Sequence, residues 1–306
     1  MEKLRIAAIV VTYNRIGLLL GCLRAIEAQT LRPDVVYIID NASSDGTDVT
    51  IEKEGLADGV KNGIRYEYIR LEKNLGGAGG FYMGMKLAHE TKKYGALWVM
   101  DDDGMPDTNC LKELSHYLDS YDYLSPMVLD NQNDDIMAFE GGGVQDFKKR
   151  QENGIVKGCA NPFNGILYSM KLIDTVGYPK KELFIWGDEV NYDLRCKAHG
   201  FQPIMVCSAI HRHPLNRQMT VRYLGQRTMT VSDKEWKLFC YIRNRTYNAR
   251  QFRGGISCMS QMLMDMIKFG CYYILQVKQP QKLKLVCKAM LKGFRGDFTG
   301  LEEYLK

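Results

Sequence analysis

Four short apolar runs, Ile6 to Val11, Val35 to Ile39, Tyr66 to Leu71 and Leu97 to Met100, each end in polar turn-forming residues and are separated by helix-like stretches. Runs that are apolar without alternation suit strands covered on both faces, and strands alternating with helices at close spacing build a parallel sheet from βαβ units. The polar residues stand after the strands and not before them. Thr12-Tyr-Asn-Arg15 follows the first, Asp40-Asn-Ala-Ser-Ser-Asp45 the second, Asn74-Leu-Gly-Gly-Ala-Gly-Gly80 the third and Asp101-Asp-Asp103 the fourth. In an open α/β sheet all of these fall along one edge, the edge where ligands bind. The fold class is therefore α/β with a mostly parallel sheet.

Three consecutive acids at a strand end repel one another unless a cation sits among them, and hard divalent cations prefer oxygen ligands. The plainer alternative is a solvated acidic turn with Asp107 as N-cap of the next helix, running to about Ser120. The glycine run precedes a helix predicted from Phe81 to Lys92. Glycines there let backbone N–H groups approach phosphate at a helix N-terminus. The spacing is neither a dinucleotide fingerprint nor a P-loop, so a flexible loop is an equal reading.

The second half holds another acid pair, in Phe184-Ile-Trp-Gly-Asp188-Glu189. Val190, Leu194 and Ala198 form one apolar stripe, so a helix starts near Asp188 with both acids in its first turn, where the dipole favours anions. They read either as ordinary capping acids or as a general base beside Trp186, whose ring could stack on an acceptor sugar. A strand from Phe201 to Cys207 leads to His211, a neutral imidazole placed to ligate a metal or to serve structure. Residues 130–160, with Gly141-Gly-Gly143, read as irregular strands and a mobile loop. Residues 233–250 read as an amphipathic helix carrying Arg243 and Arg245, which suit phosphate or a basic surface.

Bulk properties bound the function. Net charge is +5, and residues 278–306 hold seven basic residues against three acids, so the excess lies in the tail. That argues against nucleic acid as a partner. Nine cysteines without a Cys-x-x-Cys pair suit free thiols in a reducing compartment. The N-terminus lacks the shape of a signal peptide, and the apolar tract Met262 to Val277 is interrupted by Asp265 and Lys268, so the expectation is a cytoplasmic protein. A last helix spaces Leu283, Val286, Cys287, Met290, Leu291 and Phe294 among lysines. Residues 278–295 thus suit peripheral contact with anionic lipid, or packing on the domain or on a second subunit of a homo-oligomer.

Ala7-Ile-Val-Val-Thr-Tyr-Asn-Arg15, the Asp40 and Asn74 segments and Asp101-Asp-Asp103 resemble the nucleotide-sugar half of inverting family 2 glycosyltransferases. Trp186-Gly-Asp-Glu189, Tyr192-Asp-Leu-Arg195, Ala209-Ile-His211 and Tyr241-Ile-Arg-Asn-Arg245 resemble bacterial galactofuranosyltransferases and related rhamnosyltransferases. The resemblance implies a GT-A glycosyltransferase domain over residues 1–230, with a Rossmann-like nucleotide-binding half, and a C-terminal helical extension over 231–306. It implies transfer of a sugar, galactofuranose first, from a UDP-sugar to a glycan or lipid-linked glycan in cell-surface polysaccharide synthesis, at the inner face of the cell membrane. A rhamnosyltransferase using dTDP-rhamnose is the alternative; a sugar-phosphate nucleotidyltransferase fits less well, since it needs a basic glycine loop after the first strand. Residue by residue, Thr12, Tyr13, Asn14, Arg15 and Asp40 would hold the nucleoside, and Asn74, Gly76, Gly77, Asp101 and Asp102 would lie along the donor. Asp101, Asp103 and His211 would bind Mn²⁺ or Mg²⁺. Glu189 falls on the base position, which is often Asp in relatives, and this leaves Asp188 open as the base.

Overall fold

The computed structural model describes residues 4–139, 143–215, 219–223 and 227–305. The chain divides into two units, residues 1–181 with 192–216 and residues 182–191 with 217–306. The division differs from a cut at 230: a short arc from the middle of the chain joins the C-terminal unit.

The first unit opens with β1 (Ile6–Thr12), α1 (Ile16–Glu27), β2 (Val35–Asp40) and α2 (Thr47–Lys53). It continues with β3 (Asp58–Lys61), β4 (Ile64–Arg70), α3 (Gly76–Glu90), β5 (Ala96–Asp101) and the two-residue β6 (Met105–Pro106). Then come α4 (Cys110–Ser115), β7 (Tyr123–Asp130), α5 (Val144–Lys149), β8 (Ile155–Lys157), β9 (Asn164–Ser169) and α6 (Met170–Val176). After α7 (Asp188–Ala198), which begins in the other unit, β10 (Ile204–His213) completes the sheet. The strand order is β3-β4-β2-β1-β5-β9-β7-β10-β6, with β8 also on β10. β4, β2, β1 and β5 run parallel, as the βαβ reading requires, and β9 enters antiparallel between β5 and β7.

The parallel strands are apolar on both faces because both are covered. Ile6, Ala8 and Val10 of β1 join one core cluster with α1 and α4, whereas Ala7, Ile9 and Val11 join another with α3 and α6. The glycine run departs from the expected loop and forms the first turn of α3 itself. Close packing explains the departure. A Cβ on Gly80 would lie 2.4 Å from Val11 Cγ1, and one on Gly84 would lie 2.5 Å from Ile9 Cγ2. The glycines therefore let α3 lie directly on β1. Gly84→Ala is expected to cost about 1–3 kcal/mol and to lower the thermal midpoint by about 2–4 °C per kcal/mol, measured by calorimetry on the purified chain.

Two local expectations fail nearby. Asp107 does not cap α4, since Asn109 occupies that position and Asp107 pairs with Arg212 at 2.8 Å. The stretch read as a mobile loop contains α5 and β8; Gly141 and Gly142 lie outside the described residues.

The second unit contains the hairpin β11 (Met219–Tyr223) and β12 (Arg227–Val231), then α8 (Glu235–Arg253), α9 (Gly255–Gly270), a π-helical turn (Cys271–Gln276) and α10 (Lys282–Arg295). The apolar stripe of α10 is occupied inside this unit. Leu285, Val286, Ala289 and Met290 are buried, and a Cβ on Gly293 would lie 2.2 Å from the Arg243 carbonyl oxygen of α8. Its Lys288 and Lys292 pair with Glu303 and Asp297. Of the stripe named from the sequence, Val286 and Met290 are buried in this unit and Leu291 stays exposed. Among the described residues no helix is long and apolar enough to cross a membrane.

Candidate active site

The turns after β1, β2, β4 and β5 bring the first unit's polar residues to one sheet edge. β1 pairs with both β2 and β5, so Thr12 stands in register with Asp40, and Val11 with Asp101. Thr12 is buried and donates its hydroxyl to Asp102 Oδ2 at 2.7 Å. Asn14, at φ 52°, accepts from Ser44 N–H at 2.6 Å and donates its own N–H to Ser43 Oγ at 2.8 Å. The turns after β1 and β2 are thereby stitched together, and Tyr13 beside them stays exposed. Asp40 is fully buried and accepts from Ser43 N–H at 2.9 Å and from the Tyr68 hydroxyl at 2.5 Å. Asn74 Oδ1 accepts from Gly76 N–H at 2.7 Å, opening α3, and Asn41 Oδ1 accepts from Leu75 N–H at 3.2 Å. Gly77 lies in that first turn of α3.

Two basic residues contact the acid triplet. Arg15 Nη1 lies 2.7 Å from Asp103 Oδ2 and 3.1 Å from Asp102 Oδ1, and His213 Nε2 lies 3.1 Å from Asp103 Oδ1. Burial, then the neighbouring charges of Asp103 and Asp102, push the Asp101 carboxyl well above the usual carboxylate range. Burial likewise pushes Asp102 up to about 6, against Arg15. Burial also acts upward on Asp103, but the His213 hydrogen bond and charge outweigh it and hold that carboxylate ionised. The triplet is thus a site of stored repulsion that added positive charge relieves.

His211 sits inside β10, not after a strand. A bulge between Val206 and Ile210 hides the strand's continuation from periodicity. The imidazole is fully buried between Gly104 and Gly165. A Cβ on Gly104 would lie 2.2 Å from its Nε2, and one on Gly165 would lie 2.7 Å from its Nδ1. Among the described residues neither ring nitrogen has a hydrogen-bond partner. Burial and then the His213 charge push its pKa down to about 3, so the ring is neutral with a free lone pair. Carboxylates and a neutral imidazole are a donor set that fits Mn²⁺ or Mg²⁺. Among the described residues no three acidic, histidine or cysteine side chains converge into a complete cation cage. His213, which pairs with Asp103 beside Arg15, has no role in the sequence reading; its signal is the i, i+2 spacing from His211, which places both on one face of a strand.

In the second unit the acid pair hangs from α8. Phe184 and Trp186 have φ of 68° and 58°, and Gly187 has 92°. Left-handed backbone at two aromatic residues costs on the order of 1–3 kcal/mol each and persists only where surroundings over-determine it. Here Asn244 Nδ2 reaches the carbonyl oxygens of Leu183, Ile185 and Trp186 at 2.8, 3.0 and 2.8 Å. Asn248 Nδ2 donates to the Gly187 carbonyl at 2.8 Å, and Arg243 Nη2 to that of Leu183 at 2.9 Å. Arg243 is fully buried. It serves the backbone of this arc and is not part of a basic surface. Asp188 is buried, whereas Glu189 is partly exposed and accepts from Gly187 N–H at 2.8 Å. Trp186 meets Tyr241 edge-to-face at 6.3 Å, with Lys237 over its ring. Asn244→Ala is expected to strand these buried carbonyls at about 1–3 kcal/mol each, seen as a lower thermal midpoint with UDP binding retained.

Residues 7–155 match the family described as Glycosyl transferase family 2. Galactofuranosyltransferase GlfT1 of Mycobacterium tuberculosis is 31% identical over 90% of this chain and 91% of its own length. The protein of the same name from Mycolicibacterium smegmatis is 29% identical over 98% and 94%. Among solved structures, S. aureus TarS 1-349 in complex with UDP-GlcNAc aligns with 95% of this chain and 81% of its own, at TM-score 0.56 and 13% identity. GalNAc-T7 with UDP, GalNAc and Mn²⁺ aligns at TM-score 0.57 and 14% identity over 81% of this chain and 48% of its own. At such identities these two speak for the fold, whereas the GlfT1 likeness extends over nine-tenths or more of the chain. By that likeness the chain belongs to glycosyl transferase family 2 and is a glycosyltransferase of GT-A fold.

Proposed function

We propose that this glycosyltransferase moves galactofuranose from UDP to a hydroxyl of a glycan or lipid-linked glycan, with inversion at the anomeric carbon. The observation that carries the reading is identity with GlfT1 at 31% along nine-tenths of both chains. Thr12, Tyr13, Asn14, Arg15 and Asp40 would hold the uridine, and Asn74, Gly76 and Gly77 would line the donor beside Asp101 and Asp102. Asp101, Asp103 and His211 would hold Mn²⁺ or Mg²⁺; when bound, the cation neutralises charge on the departing diphosphate.

The chain's own residues supply the rest. Arg15, already paired with Asp102 and Asp103, carries positive charge to the phosphate edge. Glu189 is the accessible acid of the pair and takes the proton of the acceptor hydroxyl as that oxygen attacks. Buried Asp188 is the second candidate for that role. Trp186 offers a ring face to the acceptor sugar. A lipid-linked acceptor would bring the chain to the inner face of the cell membrane.

The test offers UDP-galactofuranose, UDP-galactopyranose and dTDP-rhamnose to the purified chain with Mn²⁺, with Mg²⁺ and with a chelator. Metal-dependent release of UDP from the furanose donor is expected, with the anomeric outcome read by NMR. Faster turnover of dTDP-rhamnose would overturn the choice of sugar.

A further inference from the structure

The second unit contains a cavity of about 250 Å³ bounded by the β11–β12 hairpin, α8 and α9. No role assigned above uses it. The hairpin contributes hydroxyls: Thr220 stands opposite Thr230, and Thr228 is two residues from Thr230 on the same strand face. α8 contributes Tyr241 and Arg245, and α9 contributes Asp265, Lys268 and Phe269.

Asp265 is the informative group. It is 3% exposed, and its Oδ1 has no hydrogen-bond partner among the described residues. Its nearest cations, Arg245 Nη1 at 3.4 Å and Lys268 Nζ at 3.8 Å, stand beyond the about 2.7–2.9 Å of a charge-assisted hydrogen bond. That oxygen is closed to solvent, so Asp265 acts on the cavity it lines as a buried negative charge. The sign of the charges then selects the ligand. An anion would meet Asp265, and a cation would meet Arg245 and Lys268. A neutral polyol carries donors for the carboxylate and acceptors for the two cations and the three threonine hydroxyls. Tyr241 and Phe269 add aromatic surface for the C–H face of a sugar ring. The volume lies under the about 300 Å³ at which drug-sized sites begin, so a single sugar ring suits it and a nucleotide sugar does not. Tyr241 also packs edge-to-face on Trp186, which places the cavity one aromatic ring away from the residue assigned to the acceptor.

We propose that the cavity enclosed by Asp265, Arg245, Lys268 and the hairpin threonines is a binding site for one neutral saccharide unit of the acceptor glycan. It is separate from the unit that receives the transferred sugar. The site deepens the glycosyltransferase reading and rests on it for the identity of the glycan, but not for the binding itself.

The test uses the full chain labelled at threonine methyl groups and titrated with methyl β-galactofuranoside, with inorganic phosphate as the anionic comparator. Thr220→Val, Thr228→Val and Thr230→Val assign the signals. The three threonine signals are expected to shift with the saccharide and not with phosphate. Asp265→Asn removes the buried charge and is expected to weaken the response about tenfold. The double variant Thr228→Val, Thr230→Val, changed at the hairpin surface, is expected to raise the KM for a galactofuranosyl disaccharide acceptor while leaving hydrolysis of the nucleotide sugar by water unchanged. Static threonine signals, signals that follow phosphate, or an unchanged acceptor KM in the double variant would each overturn the site. A chain that transfers galactofuranose normally while these signals stay fixed refutes the cavity and keeps the activity. A chain that binds the saccharide here but turns over no nucleotide sugar does the reverse.

Discussion

Asp103→Ala is expected to reduce turnover by about a thousandfold or more and to remove the dependence of nucleotide affinity on Mn²⁺. Asp103 is the acid of the triplet that both basic neighbours reach. It faces His213 on one oxygen and Arg15 on the other, and those partners keep it ionised despite burial. Removing it leaves Asp101, the carboxyl whose charge is most opposed by its surroundings, without the neighbour that would share a cation. Loss of the salt links to Arg15 and His213 alone would also lower affinity, so the metal titration decides between the two causes. UDP affinity measured by calorimetry with Mn²⁺ and with a chelator should differ in the parent chain and coincide in the variant. A variant that still responds to Mn²⁺ would place the cation elsewhere.

Glu189→Gln should act on the other half of the reaction. General-base catalysis contributes about 10²–10⁴ in rate, so a comparable fall in kcat is expected with donor affinity intact. The amide preserves the side chain's shape and can still accept from Gly187 N–H at the N-terminus of α7, so folding is retained. Intact turnover in Glu189→Gln, together with loss in Asp188→Asn at an unchanged thermal midpoint, would move the base to Asp188. Loss of donor binding in Glu189→Gln would mean that this acid belongs to the nucleotide edge and not to the acceptor.

The parallel half of the fold was readable because its signals are local. A β-branched run ending in Thr12-Tyr13-Asn14-Arg15 specifies a covered strand and its turn without reference to anything distant, and four such runs in succession leave few topologies. The same holds for Asp40 and for Asp101 to Asp103. What escaped depends on what lies opposite. The stripe on α10 is the same whether lipid or α8 covers it, and only the missing Cβ at Gly293 hints at a close backbone. The glycine run ending at Gly80 reads equally as a phosphate-binding or a flexible loop, while Gly80 serves close contact with Val11. Arg243 looked like a cation for solvent or phosphate, because no periodicity announces that a charged side chain will turn inward to backbone carbonyls.

The arc from Glu182 to Asn191 belongs with the C-terminal helices, and this has a consequence for dissecting or recombining the chain. A fragment ending at residue 230 keeps Asp188 and Glu189 in its covalent sequence but discards Asn244, Asn248 and Arg243, the anchors that hold their backbone in its unusual shape. Such a fragment would retain the nucleotide floor and lose the aim of its acids. Chimeras between relatives should therefore carry residues 182–191 and 217–306 from the same parent, since those two segments form one fitted piece despite the twenty-five residues of chain that separate them.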